Sequence, residues 1–249
     1  RWFHPYLGGK ALDEINRALL DEVKAKRAKG VSLGTVNRYM ALVRAILRKA
    51  CFDWEWIDRV PKVGMLRDKG GRIRSLTQEE FARLLDELPE HLRDMAVFSV
   101  ATGLRQGNVT RLQWHQISME RRHLWVSADE HKNGKPHSVP LNEPAMQVLE
   151  KRKGDHPTHV FTYEGNPIVQ VNTKAWRAAL KRAGIEDFRW HDLRHTFATW
   201  HRQAGTPTHE LQRLGGWKTL EMVERYAHVA PEGLQFAASR LDNLLAVTN

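Results

Sequence analysis

A lone cysteine, Cys51, is the only thiol in the sequence, so no disulfide can form within the chain and stability must come from packing. Such sparing use of cysteine fits a reducing compartment, and a cytoplasmic location is expected. Cys51 falls on an apolar helical pattern and reads as a packed thiol rather than a nucleophile. Nowhere does an apolar run approach the roughly 20 residues of a membrane-spanning helix, and no signal-peptide pattern is visible, so no membrane partner is expected. Internal repeats and low-complexity tracts are also lacking. A metal-protease motif is missing too. His191 and His195 have the i, i+4 spacing of zinc ligands, but Asp192 stands where HExxH has its glutamate, and no third ligand is marked. No metal and no other cofactor is therefore expected, with a metal-dependent nuclease kept as an alternative. The chain opens on Arg1 rather than methionine, and a natural start further upstream is expected.

What is present is apolar residue and positive charge. The 249 residues, 41% of them apolar and nine of them Trp, suffice for one large domain or two small ones and exclude wholesale disorder. The net charge of +10 is unevenly spread. Residues 1–74 carry 17 Lys and Arg against 8 Asp and Glu, whereas residues 75–249 carry 22 against 21. A basic module that meets a polyanion, joined to a nearly neutral one, accounts for this asymmetry, and so does a merely solvated basic surface.

In the basic half, Leu12, Ile15, Leu19 and Val23 recur at helical spacing as far as Gly30. A second helix follows, capped by Ser32 or Thr35, with an apolar stripe of Val36, Tyr39, Met40, Val43, Ile46, Leu47 and Ala50. Its other face carries Asn37, Arg38, Arg44, Arg48 and Lys49. That face is either ordinary solvated surface or the side laid along DNA, with cations on phosphates and polar groups on base edges. Periodicity ends between about residues 58 and 74, where Pro61, three glycines and the cations Arg72 and Arg74 suggest an electropositive linker, with the boundary near Arg74. The second domain, 75–249, opens with a Thr77–Glu80 capping box. A buried helix over HLRDMAVFSVATG follows, and then Arg105 in a turn. HLWVSA and HSVPL read as strands around an Asn133–Gly134 hairpin turn with Lys132 at its tip. Helices then follow from Glu143, from an Asn172 cap, over HDLRHTFATWHRQ, from a Thr206 cap, and from Thr219 into Tyr226. A last amphipathic helix is expected over about 231–245. The fold class is thus mainly α with a small antiparallel sheet.

His191 and Arg194 are three residues apart, so on a helix they share a face. A guanidinium grips two phosphate oxygens bidentately, and an imidazole near neutrality moves protons. Tyr226 adds a phenol able to attack phosphorus and hold it covalently. These residues, with Arg105 and Lys132 before them and Trp217 nine residues ahead of Tyr226, resemble the ordered pattern Arg, Lys, His-x-x-Arg, His or Trp, Tyr of the tyrosine recombinases, the phage integrases. The resemblance runs over nearly the whole chain.

It implies an integrase-type catalytic domain after an N-terminal helical, SAM-like core-binding module, seen here in part, with Arg38, Arg44, Arg48, Lys49, Arg72 and Arg74 against DNA. Arg105 and Arg194 would neutralise the scissile phosphate and Trp217 would donate its indole N–H to it. Lys132 would protonate the leaving 5′ oxygen, with Lys135 the nearest alternative. Tyr226 would form a 3′-phosphotyrosyl link and His191 would take its proton. Asn108, where the family more often has a carboxylate, and His195 would support the site from behind. Strand exchange would need no ATP. The implied partners are double-stranded DNA, three further protomers on synapsed DNA with the 231–245 helix exchanged between them, and an accessory DNA-bending protein. Free in solution the chain would be a monomer or weakly associated. A non-catalytic DNA-binding protein that keeps the fold is the other alternative.

Overall fold

The computed structural model describes residues 3–67, 72–129, 134, 136–227 and 239. The chain divides into two compact units, Arg1–Arg72 and Ile73–Asn249.

The first unit is helical. After the short α1 (His4–Leu7), the apolar repeat expected to form one helix from Leu12 is broken: Leu12–Glu14 is a 3-10 turn, and α2 spans Arg17–Ala28. Asn16 makes the break, because its side chain accepts from the Leu19 N–H at 3.0 Å and caps α2. Ser32 caps α3 (Leu33–Phe52) in the same way. Val36, Met40, Val43 and Leu47 of α3 meet Leu20 and Val23 of α2 in the core. Ile46, expected on that stripe, is instead exposed. The region read as the start of a linker is packed: Val63 is buried, with Val60 and Leu66 against the same core. Asn37, expected on the DNA-facing side of α3, binds Leu66 twice, donating to its carbonyl at 2.9 Å and accepting its N–H at 2.7 Å. Lys24 donates to Gly64 O at 3.2 Å. Backbone groups with no sheet to join are satisfied by side chains instead.

The second unit is built on α4 (Gln78–Glu87) and α5 (Glu90–Thr102), the first closed by the reciprocal Thr77–Glu80 capping box. Eight of the residues of α5 are buried. Gly103 ends it at φ 63°, a conformation that suits glycine. Next come α6 (Gln106–Thr110) and the antiparallel sheet β1 (Ile117–Ser118), β2 (His123–Val126) and β3 (His137–Pro140), in that order. The two longer strands match the sequence reading, while β1 is too short to show a period of two. Gly134 has φ 65°; Lys132, Asn133 and Lys135 lie outside the described residues. Then follow α7 (Glu143–Arg152), the two-residue strands β4 (Thr162–Tyr163) and β5 (Asn166–Pro167), and α8 (Lys174–Arg182). Thr173, not Asn172, caps α8.

The last elements whose bounds lie among the described residues are α9 (Asp192–Gln203), α10 (Thr208–Gly215) and α11 (Glu221–Glu224). Pro207 rather than Thr206 stands at the N-cap of α10. The expected 231–245 helix lies outside the described residues. Helix α5 packs against α7 and α9. The seat of α9 is fixed further by Leu76, whose N–H donates to the Thr196 hydroxyl at 3.1 Å and whose carbonyl accepts from the Trp200 indole at 2.9 Å. A satellite core of Phe197, Ala198, Leu211, Val223 and Tyr226 joins α9, α10 and α11.

Candidate active site

Four local features of the sequence converge at the start of α9. The αL turn at Gly103 sends the chain out of α5, and Arg105 stands at the N-cap of α6, half-buried. Arg105 lines a cleft of about 290 Å³ with Gly107, Asn108, Arg111, Gln116, Val126 and Asp129. Asn108 is thus beside Arg105, one turn along α6. On the first turn of α9, Arg194 is buried and spans two loops. Its guanidinium donates to Gly103 O and, at 2.6 Å, to Gly215 O. The turn before Arg105 and the end of α10 are therefore tied together through this one side chain.

Gly215 and Gly216 set Trp217. Gly216 closes α10 at φ 62°, and a Cβ on Gly215 would fall inside the Trp217 ring. The ring lies over Arg194, 4.1 Å from guanidinium carbon to centroid, and its own centroid is 6.0 Å from that of Tyr226. Tyr226 does not sit on the helix expected to start at Thr219; it lies in the turn just after the four-residue α11. The residue is 2% exposed. The phenol oxygen is 2.6 Å from His195 Nδ1. His191, to which the sequence reading gave the phenol's proton, is exposed at the N-cap of α9, its ring 5.4 Å from that of His195.

The electrostatics follow from crowding like charges in a half-buried place. Burial, helped by the neighbouring Arg105 charge, pulls Arg194 down to about 9, and burial lowers Arg105 as well. Both stay protonated at neutral pH. Among the described residues no carboxylate forms an ion pair with either, so the site carries a surplus of positive charge suited to an anion. Burial raises the Tyr226 phenol above its usual value, against the opposing pull of Arg194 and Arg225. Burial and the neighbouring His191 bring His195 down to about 4, so its ring is neutral at pH 7.

Arg105, His191, Arg194, His195, Trp217 and Tyr226 are thus brought together, with Asn108 in the adjoining cleft, whereas Lys132 lies outside the described residues. In the first unit, Arg38, Arg44, Arg48 and Lys49 are exposed on α3 and Arg72 is exposed beyond it. Arg48 lies over the Phe52 ring and Lys49 pairs with Asp53. Arg74 spends its guanidinium on Glu80, at 2.6 Å and 3.0 Å, and on Ser75 O. Sequence reasoning passed over Arg111, which adds a cation to the cleft. It also passed over the exposed Phe52, Trp54 and Trp56, although FDWEW directly after a helix was a legible signal.

A mainly helical domain with a small antiparallel sheet is the fold seen in solved integrase structures. The chain superposes on the Tn1549 transposon integrase in complex with transposon right end DNA with TM-score 0.77, at 21% identity, covering 95% of this chain and 88% of that one. It matches a lambda integrase dimer bound to a COC′ core site with TM-score 0.74, at 18% identity, covering 91% and 84%. Residues 74–232 match the phage integrase family model, and the chain belongs to that family. It is 39% identical over 253 residues to the integrase of Salmonella phage P22, covering 96% of this chain and 65% of that protein. To the shufflon-specific DNA recombinase of Escherichia coli it is 30% identical over 221 residues, covering 84% and 55%. The chain therefore spans less than two thirds of the length of these relatives.

Proposed function

We propose that this chain carries the core-binding and catalytic parts of a site-specific DNA recombinase that works through a covalent phosphotyrosine. The observation that carries the reading is the pair Arg105 and Arg194, neighbouring guanidinium groups that form no ion pair with a carboxylate among the described residues, with Arg194 under Trp217 and the Trp217 ring beside Tyr226. A phosphodiester resists attack because its charge repels nucleophiles, and fixed cations remove that obstacle and stabilise the charge that grows in the transition state. Tyr226 attacks, the 5′ oxygen leaves with a proton from Lys132, and a 5′ hydroxyl of another strand later reverses the step. Bond energy is kept in the phosphotyrosine, so no ATP is needed, and the fixed guanidinium groups take the charge-neutralising part that a metal would otherwise play. Because Tyr226 is 2% exposed and packed with Phe197, Leu211 and Val223, the phosphate reaches its oxygen only after this packing opens. The partners are duplex DNA and three further protomers, joined through residues 231–245.

A DNA duplex nicked close to the scissile phosphate tests this, because the short 5′ fragment diffuses away and traps the adduct. A denaturant-resistant protein–DNA adduct formed in EDTA is the expected result. Cleavage abolished by EDTA favours a metal-dependent nuclease, and binding with no adduct favours a non-catalytic DNA-binding protein. Exposed Arg44 on α3 offers a second measurement. Arg44→Ala is expected to weaken binding alike on all sequences and to reduce the slope of log affinity against log salt by about 1, since one fewer counterion is released. An unchanged slope would take Arg44 off the DNA.

A further inference from the structure

We propose that His195, not only His191, is a proton acceptor for the nucleophile, and that Asp192, His195 and Tyr226 form a carboxylate–imidazole–phenol relay. The inference rests on the reading of Tyr226 as the nucleophile. Three observations on one side of α9 carry it. His195 Nδ1 lies 2.6 Å from the phenol oxygen, within reach of the proton that must leave as oxygen bonds to phosphorus. His195 Nε2 lies 4.0 Å from Asp192 Oδ1, beyond hydrogen-bond length but near enough for the carboxylate's charge to favour the tautomer with hydrogen on Nε2, which leaves Nδ1 as the acceptor. Asp192 is itself held, its other oxygen accepting the Arg189 N–H at 2.9 Å, and the carboxylate is buried. A nucleophile within reach of a base, with the base oriented by a third group, is the general arrangement for activating a hydroxyl. The other groups acting on His195 are His191, Arg194 and Arg225, all disfavouring a charged ring at rest, against Asp192, which favours it.

The proton accounting closes without an added reagent. As the Tyr226 oxygen–phosphorus bond forms, the phenol O–H breaks and its proton passes to His195 Nδ1. The P–O5′ bond breaks and the 5′ oxygen takes a proton from the general acid. Asp192 offsets the imidazolium charge. On rejoining, His195 returns the proton to the departing phenolate. Asp192 acts through His195 and is a positioning residue.

The test measures single-turnover adduct formation by the full chain on two nicked duplexes. One has an ordinary scissile phosphate, the other a sulfur in place of the bridging 5′ oxygen, a leaving group that needs no proton. His195→Asn is the main variant, because its amide oxygen can still accept from the phenol but is not basic; His195→Gln is the second, and DNA binding and thermal melting check that both fold. The relay predicts a loss of about 10²–10⁴-fold at pH 7 on both substrates, shrinking as pH rises and hydroxide does the base's work. Asp192→Asn should show a smaller loss with the same pH trend. Full activity of His195→Asn, a loss that does not change with pH, or a loss cured by the sulfur substrate would each overturn the proposal; the last would put His195 on the leaving-group side. A wild-type chain that forms no adduct on either substrate would instead sink the recombinase reading itself. Imidazole ¹⁵N signals give an independent readout in the unaltered protein: a neutral His195 ring protonated at Nε2 is expected at pH 7, and a ring protonated at Nδ1 alone overturns the relay.

Discussion

Tyr226→Phe is expected to abolish the covalent DNA adduct while leaving the fold and DNA affinity close to those of the unaltered chain. The substitution removes one oxygen, and that oxygen is the only atom asked to bond to phosphorus. The ring stays in its cluster with Phe197, Ala198, Leu211 and Val223, so packing is conserved and no cavity opens. What is lost structurally is the 2.6 Å hydrogen bond to His195. A single intramolecular hydrogen bond contributes about 0.5–1.5 kcal/mol net, and leaving its partner unsatisfied costs about 1–3 kcal/mol. His195 keeps some access to water, which holds the cost at the low end. In a unit of this size about 1 kcal/mol lowers Tm by about 2–4 °C. Denaturing gels read the adduct, a mobility-shift titration reads affinity, and a melt reads stability. An adduct surviving in this variant would mean that another side chain is the nucleophile.

How far the sequence spoke for this arrangement depended on whether the signal was local. Thr77 and Glu80, three apart, announce α4, and Gly103 announces the end of α5, because caps and αL positions are decided within a few residues. The same local chemistry worked against the reading at Asn16, whose cap breaks an apolar repeat that seemed continuous. Strands of two residues, β1, β4 and β5, are too short to display alternation. Residues 60–66 looked like linker because apolar periodicity ends there beside Pro61 and Gly64, yet Val60, Val63 and Leu66 pack on the first unit and Asn37 binds Leu66. Nothing in the order of residues announces a pairing 29 positions apart.

The site shows the same division. Spacing paired His191 with Arg194 on one helix face, whereas the structure leaves His191 exposed at the N-cap of α9 and buries Arg194 in the first turn. Helical spacing also put His191 and His195 on one face, but which of them meets the phenol depends on how α10 and α11 return to α9. That is set by the satellite core of Phe197, Leu211 and Val223, assembled from three elements. Arg74 makes the point for charge. Counting cations marks it as a DNA contact, while the structure gives it a carboxylate six residues along the chain.

The second large effect concerns Arg194, where the choice of substitution decides what is learned. Arg194→Ala would remove the cation, leave Gly103 O and Gly215 O as buried acceptors without their donor, and take away the group beneath Trp217. Loss of activity in that variant could reflect a displaced Trp217 as readily as a lost phosphate contact. Arg194→Lys keeps the charge and most of the aliphatic stem but concentrates its donors on one nitrogen, which cannot span the two carbonyls and still present a planar fork to two phosphate oxygens. The expected result is a fall of about 10²–10³ in the rate of adduct formation, the loss seen when one donor to a developing oxyanion is removed. DNA affinity should stay within a few-fold, because the charge here is unchanged. Single-turnover rates beside a binding titration separate the two. A lysine variant within tenfold of the unaltered rate would show that charge alone suffices, and that the guanidinium's part is to hold Gly103 and Gly215 rather than to grip phosphorus. A rate falling in step with affinity would make Arg194 a DNA-binding residue, with no preference for the transition state over the bound duplex.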